Sequence, residues 1–441
     1  MSMSNASGKE LAEFLYPVSP KEFLSEYWEK KPLYVRGTPT KFARLFDRER
    51  FDRAILRVGF DKRKPGPFSL RALWRNRHDL QAGIEIEPTQ VREALASRTT
   101  VCVNDITAGD AALAEFAAHI KRQMNLATPV RFNCYLSPDG EGLDTHYDAR
   151  HATIIQISGS KRWLYSRLPA TNYPLANALV QKDGQIRHGE HNNRRQKLDV
   201  PTPDESQFEE VLLEPGDLLY LPPGTWHNAK ASGESLALNM AFETIGMLQV
   251  LFPELERMLS EKLEWRAILP ATPLEQTRPG EVPLEVEQFI TARLGELRDM
   301  LGKLSSRGVE LERIWRRAVT SSPYVSLDGQ APTSPLKPED VLVRTEPYPL
   351  PYVRRPGPDG TQFVYVYGCN TEVLLPGDAL SLVRGIAARQ RFTVAEVEQW
   401  GDISLKQGIE VLDILLTRGL LRREGEQVTA PVVGPTPADH V

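Results

Sequence analysis

Between residues 98 and 243 the chain contains several short runs rich in β-branched and aromatic residues. Gly, Pro, Ser and Asp residues, which favour turns, separate most of these runs. The pattern predicts short strands at 100–103, 131–136, 152–157, 161–165, 218–221 and 235–242. Many short strands around the ligand set described below favour a double-stranded β-helix, the jelly-roll or cupin type of barrel. The polar stretch 170–205 interrupts the series, and we expect a long loop or insert near the site there.

The periodicity is helical on both sides of this region. At the N-terminal side the apolar residues Phe23, Leu24, Tyr27 and Trp28 have helical spacing, and Pro32-Leu33-Tyr34-Val35 then becomes strand-like. After Thr244 the spacing of apolar residues predicts a helical module, with one periodic segment from Leu251 to Leu263 and a second over 286–318. Its apolar faces suit either the core or a dimer contact, and the sequence does not separate the two.

The last block predicts strands at 341–344 and 363–367, followed by three helical patterns. The second helical pattern opens at Thr393-Val394-Ala395-Glu396, a capping box, and the third covers about 405–417. A small hairpin over 420–428 would follow as a wing, so this order resembles a winged helix. The whole chain is thus predicted to be an α+β multidomain protein.

The predicted division follows these changes of pattern. It comprises an N-terminal α/β segment at 1–98, the barrel at 99–245, the helical module at 246–320, a Ser- and Pro-rich linker at 321–340, a winged-helix-like domain at 341–430 and a flexible tail at 431–441.

Composition adds limits on location and partners. The chain has 441 residues, of which 41% are apolar and 25% charged, as in a soluble globular protein. Neither a signal peptide nor a run long enough to span a membrane is evident, so we expect a cytoplasmic protein without a membrane partner. Cys102, Cys134 and Cys369 are too far apart in sequence to encode a disulfide framework or a zinc knuckle. The net charge of −4 gives nucleic acid binding no support.

One set of residues has the composition of a metal site. His146 and Asp148 are two residues apart in strand-like sequence, so they point to the same face and can hold one ion together. The turn Glu214-Pro215-Gly216-Asp217 and the next strand lead to His227, the expected third ligand. Two imidazoles and one carboxylate leave coordination positions open, as in non-haem Fe(II) oxygenases, which bind a cosubstrate and O2 there.

Lys161 adds a second indication of this chemistry. It follows the turn Ser158-Gly159-Ser160 at the start of a predicted strand. A lysine that points into a barrel is costly unless an anion pairs with it, and the distal carboxylate of 2-oxoglutarate would be such an anion. An exposed lysine at a strand edge is the alternative.

These motifs resemble those of a known family. The segments His146-Tyr147-Asp148, Lys161-Arg162-Trp163, 213–220 and Gly224-Thr225-Trp226-His227 are similar to the JmjC-domain oxygenases, in particular to the cupin-like ribosomal oxygenases that hydroxylate ribosomal proteins. The entry segment 23–33 and the order of barrel, helical dimerisation module and winged helix are similar as well.

The resemblance implies an Fe(II)- and 2-oxoglutarate-dependent dioxygenase that consumes O2 and hydroxylates a side chain of a protein or peptide, such as a ribosomal protein. It implies that His146, Asp148 and His227 hold the iron and that Lys161 anchors 2-oxoglutarate. It also implies a homodimer, and a cosubstrate pocket that Asn133, Tyr135 and Asn239 line with Lys161.

Other functions stay open at this point. They are demethylation of N-methyl-lysine, hydroxylation of a peptide or small natural product in a biosynthetic pathway, and a non-catalytic metal-binding cupin sensor. A second cluster with metal-ligand residue types, His188-Gly189-Glu190-His191, lies in the polar insert without a strand pattern, and we interpret it as a surface loop. His151 has no assigned role.

Overall fold

The computed structural model describes most of the chain. The described residues are 9–56, 69–74, 82–181, 183–191, 194–195, 200–242, 247–273, 280–306, 308–321, 334–346, 348–357, 359–369, 371–401 and 403–425. The helices are α1 (Glu10–Leu15), α2 (Pro20–Glu22), α3 (Arg48–Leu56), α4 (Val91–Ala96), α5 (Ala111–Gln123), α6 (Met247–Ser260), α7 (Leu263–Arg266), α8 (Leu284–Ser306), α9 (Gly308–Thr320), α10 (Leu380–Ala388) and α11 (Leu405–Thr417).

The strands fall into one large antiparallel sheet and three small ones. They are β1 (Leu33–Val35), β2 (Ser69–Trp74), β3 (Ala82–Glu85), β4 (Thr100–Asn104), β5 (Val130–Ser137), β6 (Gly142–Tyr147), β7 (His151–Tyr165), β8 (Ala178–Val180), β9 (Ile186–His188), β10 (Glu190–His191), β11 (Arg194–Arg195), β12 (Glu209–Leu213), β13 (Leu218–Leu221), β14 (His227–Phe242), β15 (Val341–Arg344), β16 (Tyr352–Pro356), β17 (Gln362–Gly368), β18 (Thr371–Pro376), β19 (Arg391–Thr393) and β20 (Leu421–Arg423).

Two long strands fold the large sheet into a barrel. β7 and β14 pair with each other along most of their length, with a shift of register between Ser232 and Ala237. The second half of β14 pairs with β5, and its first half pairs with β6. The first half of β7 pairs with β13, and its second half pairs with β12. The two halves therefore belong to two layers that face each other, which confirms the predicted double-stranded β-helix.

The predicted strands agree with this arrangement, with two differences. The segments 152–157 and 161–165 belong to one continuous strand, β7, and β14 begins at His227 rather than at Ser235. Gly159 lies where β7 bends, with a φ of +63°. A Cβ there would lie 1.9 Å from the carbonyl oxygen of Glu234 on β14, so the bend requires glycine.

The polar insert is more ordered than expected. We expected a long loop over 170–205, but this stretch contains four short strands, and β8 pairs with β6 while β9 pairs with β8. A second small hairpin joins β10 to β11. Such short, polar edge strands lack an apolar alternation of their own, and backbone hydrogen bonds to β6 hold β8 in place. The insert therefore extends the layer of the barrel that contains β6.

Separate apolar clusters stabilise the barrel and the last block. The largest cluster lies between the outer face of the barrel and the N-terminal elements, with Phe46, Phe51, Leu113 and Phe132 fully buried in it. A smaller cluster fills the barrel interior beside the two long strands. A third cluster covers 336–421 and forms an independent core for the C-terminal elements.

The N-terminal segment closes one edge of the barrel sheet. The Ser19 side chain caps α2, which continues into a π-helical turn over Phe23–Tyr27. β1 follows and pairs with β13, so the predicted sequence of helix and strand is confirmed. The Asp217 carboxylate accepts hydrogen bonds from the backbone N of Gly37 at 2.8 Å and the hydroxyl of Tyr34 at 3.0 Å. The turn before β13 thereby fixes the chain after β1.

The helical module contains helices in both predicted segments. The periodic segment 286–318 corresponds to two helices, α8 and α9. Among the described helices, none is both long enough and apolar enough to cross a membrane. Many large apolar side chains of this module are exposed to solvent, including Leu263, Ile268 and Leu284.

Helix α5 connects the barrel to the later elements. The buried ammonium group of Lys121 donates a hydrogen bond to the carbonyl oxygen of Ala318 at 2.7 Å, near the C-terminal end of α9. The neighbouring Arg122 forms an ion pair with Glu346 at 3.3 Å, between α5 and the C-terminal elements. Buried polar contacts of this kind fix the relative position of the elements, because each polar group loses its partner if the elements separate.

The C-terminal block contains the predicted helices. Both halves of the capping box formed by Thr393 and Glu396 are present, although the helix that it caps is a short 3₁₀ helix. α11 has the predicted bounds. β20 pairs with β15, and residues 426–428 of the expected hairpin lie outside the described residues. The winged-helix assignment and the division into domains stay predictions.

The contact of two glycines gives a test of the N-terminal docking. A Cβ on Gly37 would lie 1.8 Å from the backbone oxygen of Gly216. We expect Gly37→Ala to lower the free energy of unfolding by about 1–3 kcal/mol, the usual cost of overpacking. Gly295 in α8 is the matched control, because a Cβ there meets no atom within 4 Å. Gly295→Ala should raise the free energy of unfolding by about 0.5–1 kcal/mol, the difference in helix propensity. Chemical denaturation measures the free energy of unfolding of both variants. Equal changes in the two variants would contradict the close packing of Gly37 on Gly216.

Candidate metal centre

Three side chains with metal-ligand chemistry converge at one end of the barrel. His146 on β6 and His227 at the start of β14 are direct cross-strand partners. Their ring centroids lie 4.2 Å apart. Asp148 follows the last residue of β6, two positions after His146. One ligand atom from each of the three residues lies within 4.8 Å of the other two. The structure therefore brings together the three residues that the sequence selected, in an arrangement that can hold one metal ion.

Backbone carbonyls orient both imidazoles. Nδ1 of His146 lies 2.7 Å from the carbonyl oxygen of Asp144, and Nδ1 of His227 lies 2.8 Å from that of Thr225. A carbonyl oxygen can only accept, so each Nδ1 carries the proton and donates. The unprotonated Nε2 of each ring is then available for a metal ion. Such outer hydrogen bonds fix the tautomer and the ring orientation of metal-binding histidines.

The electrostatics of the cluster favour the metal-binding protonation states. Burial, together with His146, lowers the pKa of His227 to about 4. Burial opposes ionisation of the Asp148 carboxyl group, but the charges of His146, His227 and Arg150 outweigh it and hold the pKa of that carboxyl group below its usual value. At neutral pH the site thus offers a neutral imidazole and a carboxylate. These are the forms that coordinate a metal ion without first losing a proton.

The cluster opens into a narrow cavity inside the barrel. Its lining includes His146, Asp148 and His227 at one end and the side chains of Tyr135, Lys161, Trp163 and Asn239 along the walls. Apolar residues from the barrel core, among them Ile154 and Ala237, complete the lining. The three candidate metal ligands and Lys161 therefore line the same cavity.

Lys161 is a buried cation in this cavity. It is 3% exposed, and its ammonium group donates a hydrogen bond to the Ser137 hydroxyl at 3.0 Å. Within the described part of the chain, no carboxylate forms an ion pair with it. Burial lowers the pKa of Lys161 to about 8. The alternative that Lys161 is an exposed lysine at a strand edge is therefore wrong.

The indole N–H group of Trp163 also lies in the cavity, and it has no hydrogen-bond partner in the described structure. The indole Nε1 of Trp163 is buried and has no hydrogen-bond acceptor. Trp163 lies two residues after Lys161 on β7, so both side chains point to the same face. A buried N–H group without an acceptor and a buried ammonium group without a counter-charge each cost free energy. A carboxylate ligand can satisfy such donors, so the cavity suits an organic anion that also binds the metal.

The other predicted pocket residues lie on two paired strands. Asn133 on β5 and Asn239 on β14 are direct cross-strand partners. The carboxamide oxygen of Asn239 accepts a hydrogen bond from the backbone N of Thr153, and that of Asn133 accepts one from the backbone N of Asp105. Tyr135 lines the cavity with its ring centroid 5.8 Å from the Lys161 ammonium group. Their roles in cosubstrate binding stay predictions.

Sequence reasoning missed Trp163, which lines the cavity, and Ser137, which accepts a hydrogen bond from the ammonium group of Lys161. Ser137 continues the face of β5 that carries Asn133 and Tyr135, at intervals of two residues. Trp163 has the same relation to Lys161 on β7. The strand period was the signal for both, because residues two apart share a face.

The two other histidines of interest have different surroundings. Nδ1 of His188 lies 3.5 Å from the Tyr147 hydroxyl, and the side chains of Glu190 and His191 lie outside the described residues. His151 is buried, stacks on Trp28 with centroids 3.9 Å apart and has its Nδ1 2.9 Å from the Tyr220 hydroxyl. Burial lowers the pKa of His151 to about 3. His151 therefore stabilises the contact between the barrel and the N-terminal segment.

Comparison with known proteins agrees with this geometry. The JmjC domain family matches residues 111–249. YxbC of Bacillus subtilis (strain 168), an uncharacterized protein, is 26% identical over 60% of this chain and 80% of its own length. Ribosomal oxygenase 1 of Gallus gallus is 28% identical over 58% of this chain and 41% of its own length. The bifunctional lysine-specific demethylase and histidyl-hydroxylase NO66 of Culex quinquefasciatus is 30% identical over 47% of this chain. Except for YxbC, the match spans less than half the length of these relatives.

The fold is also similar to that of a solved structure over nearly its whole length. YcfD, a ribosomal oxygenase from Escherichia coli in complex with cobalt and 2-oxoglutarate, superimposes with a TM-score of 0.54 and 17% sequence identity. The match covers 93% of this chain and 99% of YcfD. At this identity the likeness establishes the shared fold alone. The match at 111–249 indicates a JmjC domain in this part of the chain.

Proposed function

We propose that this protein is an Fe(II)- and 2-oxoglutarate-dependent oxygenase that hydroxylates a side chain of a protein, in the first place a ribosomal protein. One observation carries the proposal: a His-Asp-His cluster shares one narrow cavity with a buried lysine that has no carboxylate partner among the described residues. The names of the relatives and of YcfD as ribosomal oxygenases support the substrate class. The cytoplasmic location stays a prediction.

The residues of the cavity suit this reaction. His146, Asp148 and His227 would hold the iron, and Lys161 would receive the distal carboxylate of 2-oxoglutarate, with the Ser137 hydroxyl and the indole N–H of Trp163 as neutral donors. When bound, iron and 2-oxoglutarate use O2 to transfer one oxygen atom to the substrate and release succinate and CO2. The apolar walls exclude water from the anion, which strengthens its attraction to Lys161.

The activity itself is the first test. We expect the purified protein, supplied with Fe(II), 2-oxoglutarate and a mixture of ribosomal proteins, to produce succinate and to increase the mass of one protein by one oxygen atom. His146→Ala should abolish both, because two ligands do not hold iron in this geometry. Release of formaldehyde with loss of a methyl group would favour demethylation. A peptide or small natural product as the only acceptor would favour a biosynthetic hydroxylase, and metal binding without turnover would favour a sensor.

The pH dependence of cosubstrate binding tests the role of Lys161. Burial lowers the pKa of Lys161 to about 8, so the group loses its proton as the pH rises through that value. We expect the Kd for 2-oxoglutarate, measured by calorimetry on the Co(II)-loaded protein, to rise above this pH by up to about tenfold per pH unit. Lys161→Met should bind 2-oxoglutarate weakly without this pH dependence. Lys230→Met, which removes an exposed lysine on the neighbouring strand, should behave as the wild type. A Kd unchanged in Lys161→Met would contradict the role.

We further propose that the helical module forms a homodimer through its exposed apolar residues. Ile268 is 88% exposed, and Leu263 and Leu284 are exposed by more than half. Apolar surface of this extent is unfavourable in water, and a second copy of the chain would cover it symmetrically.

Light scattering after size-exclusion chromatography tests the dimer. We expect the wild type to have twice the mass of one chain and Ile268→Glu to have the mass of one chain, because a buried carboxylate opposes the contact. The control is Leu56→Glu in α3, where the leucine is 73% exposed outside the module. It should remain a dimer, and a wild-type monomer would contradict the proposal.

A further inference from the structure

The first part of the insert, residues 170–177 before β8, lies against the candidate metal ligand Asp148. The backbone N of Gly224 donates a hydrogen bond to the carbonyl oxygen of Asp148 at 2.9 Å, and the backbone N of Ala170 donates one to the carbonyl oxygen of Gly224 at 2.9 Å. A Cβ on Gly224 would lie 2.1 Å from the carbonyl oxygen of Thr171. The start of the insert is therefore packed closely on the turn that holds Asp148.

Asn177, the residue directly before β8, contacts the carboxylate of Asp148. The side-chain amide of Asn177 donates a hydrogen bond from Nδ2 to Oδ1 of Asp148 at 2.8 Å. Its carboxamide oxygen accepts a hydrogen bond from the backbone N of Ala149 at 2.8 Å. Its own backbone oxygen accepts one from the backbone N of Gly189 at 2.7 Å. Three hydrogen bonds thus fix both the backbone and the side chain of Asn177, although the residue is exposed.

The strand pairing explains why Asn177 meets Asp148. Ala178 on β8 is the cross-strand partner of Tyr147 on β6 in an antiparallel pair. One further step along both chains places Asn177 opposite Asp148, just beyond the paired residues. The same strand β6 has His227 opposite His146 on its other side. On one side of β6, β14 contributes the candidate metal ligand His227. On the other side, the residue before β8 contributes the amide group that binds Asp148.

We infer that Asn177 is a positioning residue for the metal site. Its amide donates a hydrogen bond to one carboxylate oxygen of Asp148, which leaves the second oxygen as the expected metal ligand. A half-buried aspartate at a strand end otherwise samples several rotamers and can offer both oxygens, and ordering it costs side-chain entropy on metal binding. The inference rests on the proposed metal centre, and it assigns a function in that centre to the insert.

Metal binding without cosubstrate tests this inference. The metal-free full-length protein is titrated with Co(II), and the Kd and the visible absorption of the bound ion are recorded. We expect Asn177→Ala to bind Co(II) about 10–100-fold more weakly, the usual effect of removing an outer hydrogen bond to a metal ligand. The absorption of the bound ion should also change, because the released oxygen of Asp148 is free to coordinate. Asn172→Ala, which alters an exposed asparagine in the same insert, should match the wild type in both properties.

The outcomes separate the inference from the metal centre. Thermal unfolding of the metal-free variants shows whether Asn177→Ala acts on folding alone. If the variant melts earlier but binds Co(II) with the wild-type Kd and absorption, Asn177 has only a structural role and the inference is wrong. A wild-type protein that binds no Co(II) overturns the metal centre, and the inference with it. If Asn177→Ala does not fold, Asn177→Leu, which branches at Cγ like asparagine but forms no side-chain hydrogen bond, takes its place.

Discussion

The candidate site depends on the antiparallel register between β6 and β14. This register places His146 directly opposite His227, and a shift by one residue would turn one of the two imidazoles to the outside of the barrel. The same strand β14 continues into the other layer, where Asn239 faces Asn133 on β5. One hydrogen-bonded strand therefore spans both the metal end and the wall of the cavity. The backbone of β14, rather than flexible side chains, therefore fixes the distance between the metal site and the cavity wall at Asn239.

The bend between the two halves of β14 makes this span possible. The register shifts between Ser232 and Ala237, opposite the turn-like Ser158-Gly159-Ser160 of β7. The bends of the two strands lie opposite each other in the pair. Gly159 allows the two backbones to approach closely at this point. A straight pair of this length would leave the two layers in one plane without an interior. The barrel, and hence a cavity dry enough to lower the pKa of a lysine, follows from this shared bend.

The sequence predicted the features that depend on local pattern. His146, Asp148 and His227 were found because ligand types coincided with strand period and a tight turn. A position of Lys161 inside the barrel was expected because the distal carboxylate of 2-oxoglutarate would compensate its charge, although an exposed position stayed open. The bounds of α11 followed from its apolar spacing. The strands of the insert were missed because they are short and polar, and only their bonds to β6 make them strands. Asn177 was missed for the same reason, since its partner Asp148 is close in space but distant in sequence. The apolar spacing over 286–318 predicted helical structure there but not the boundary between α8 and α9.

The charges of the cavity indicate why a lysine and a single carboxylate occur together in it. Two neutral imidazoles and the Asp148 carboxylate leave a divalent metal ion with one net positive charge, and Lys161 adds a second. A dicarboxylate with two negative charges then makes the closed cavity neutral. In a low-dielectric interior, neutrality matters because each uncompensated charge costs several kcal/mol, of the order of the desolvation penalty of an ion. Metal and dicarboxylate should therefore bind more tightly together than separately, since each neutralises charge that the other leaves. A monocarboxylate would leave one positive charge buried, so the same balance favours a dicarboxylic cosubstrate over a shorter acid.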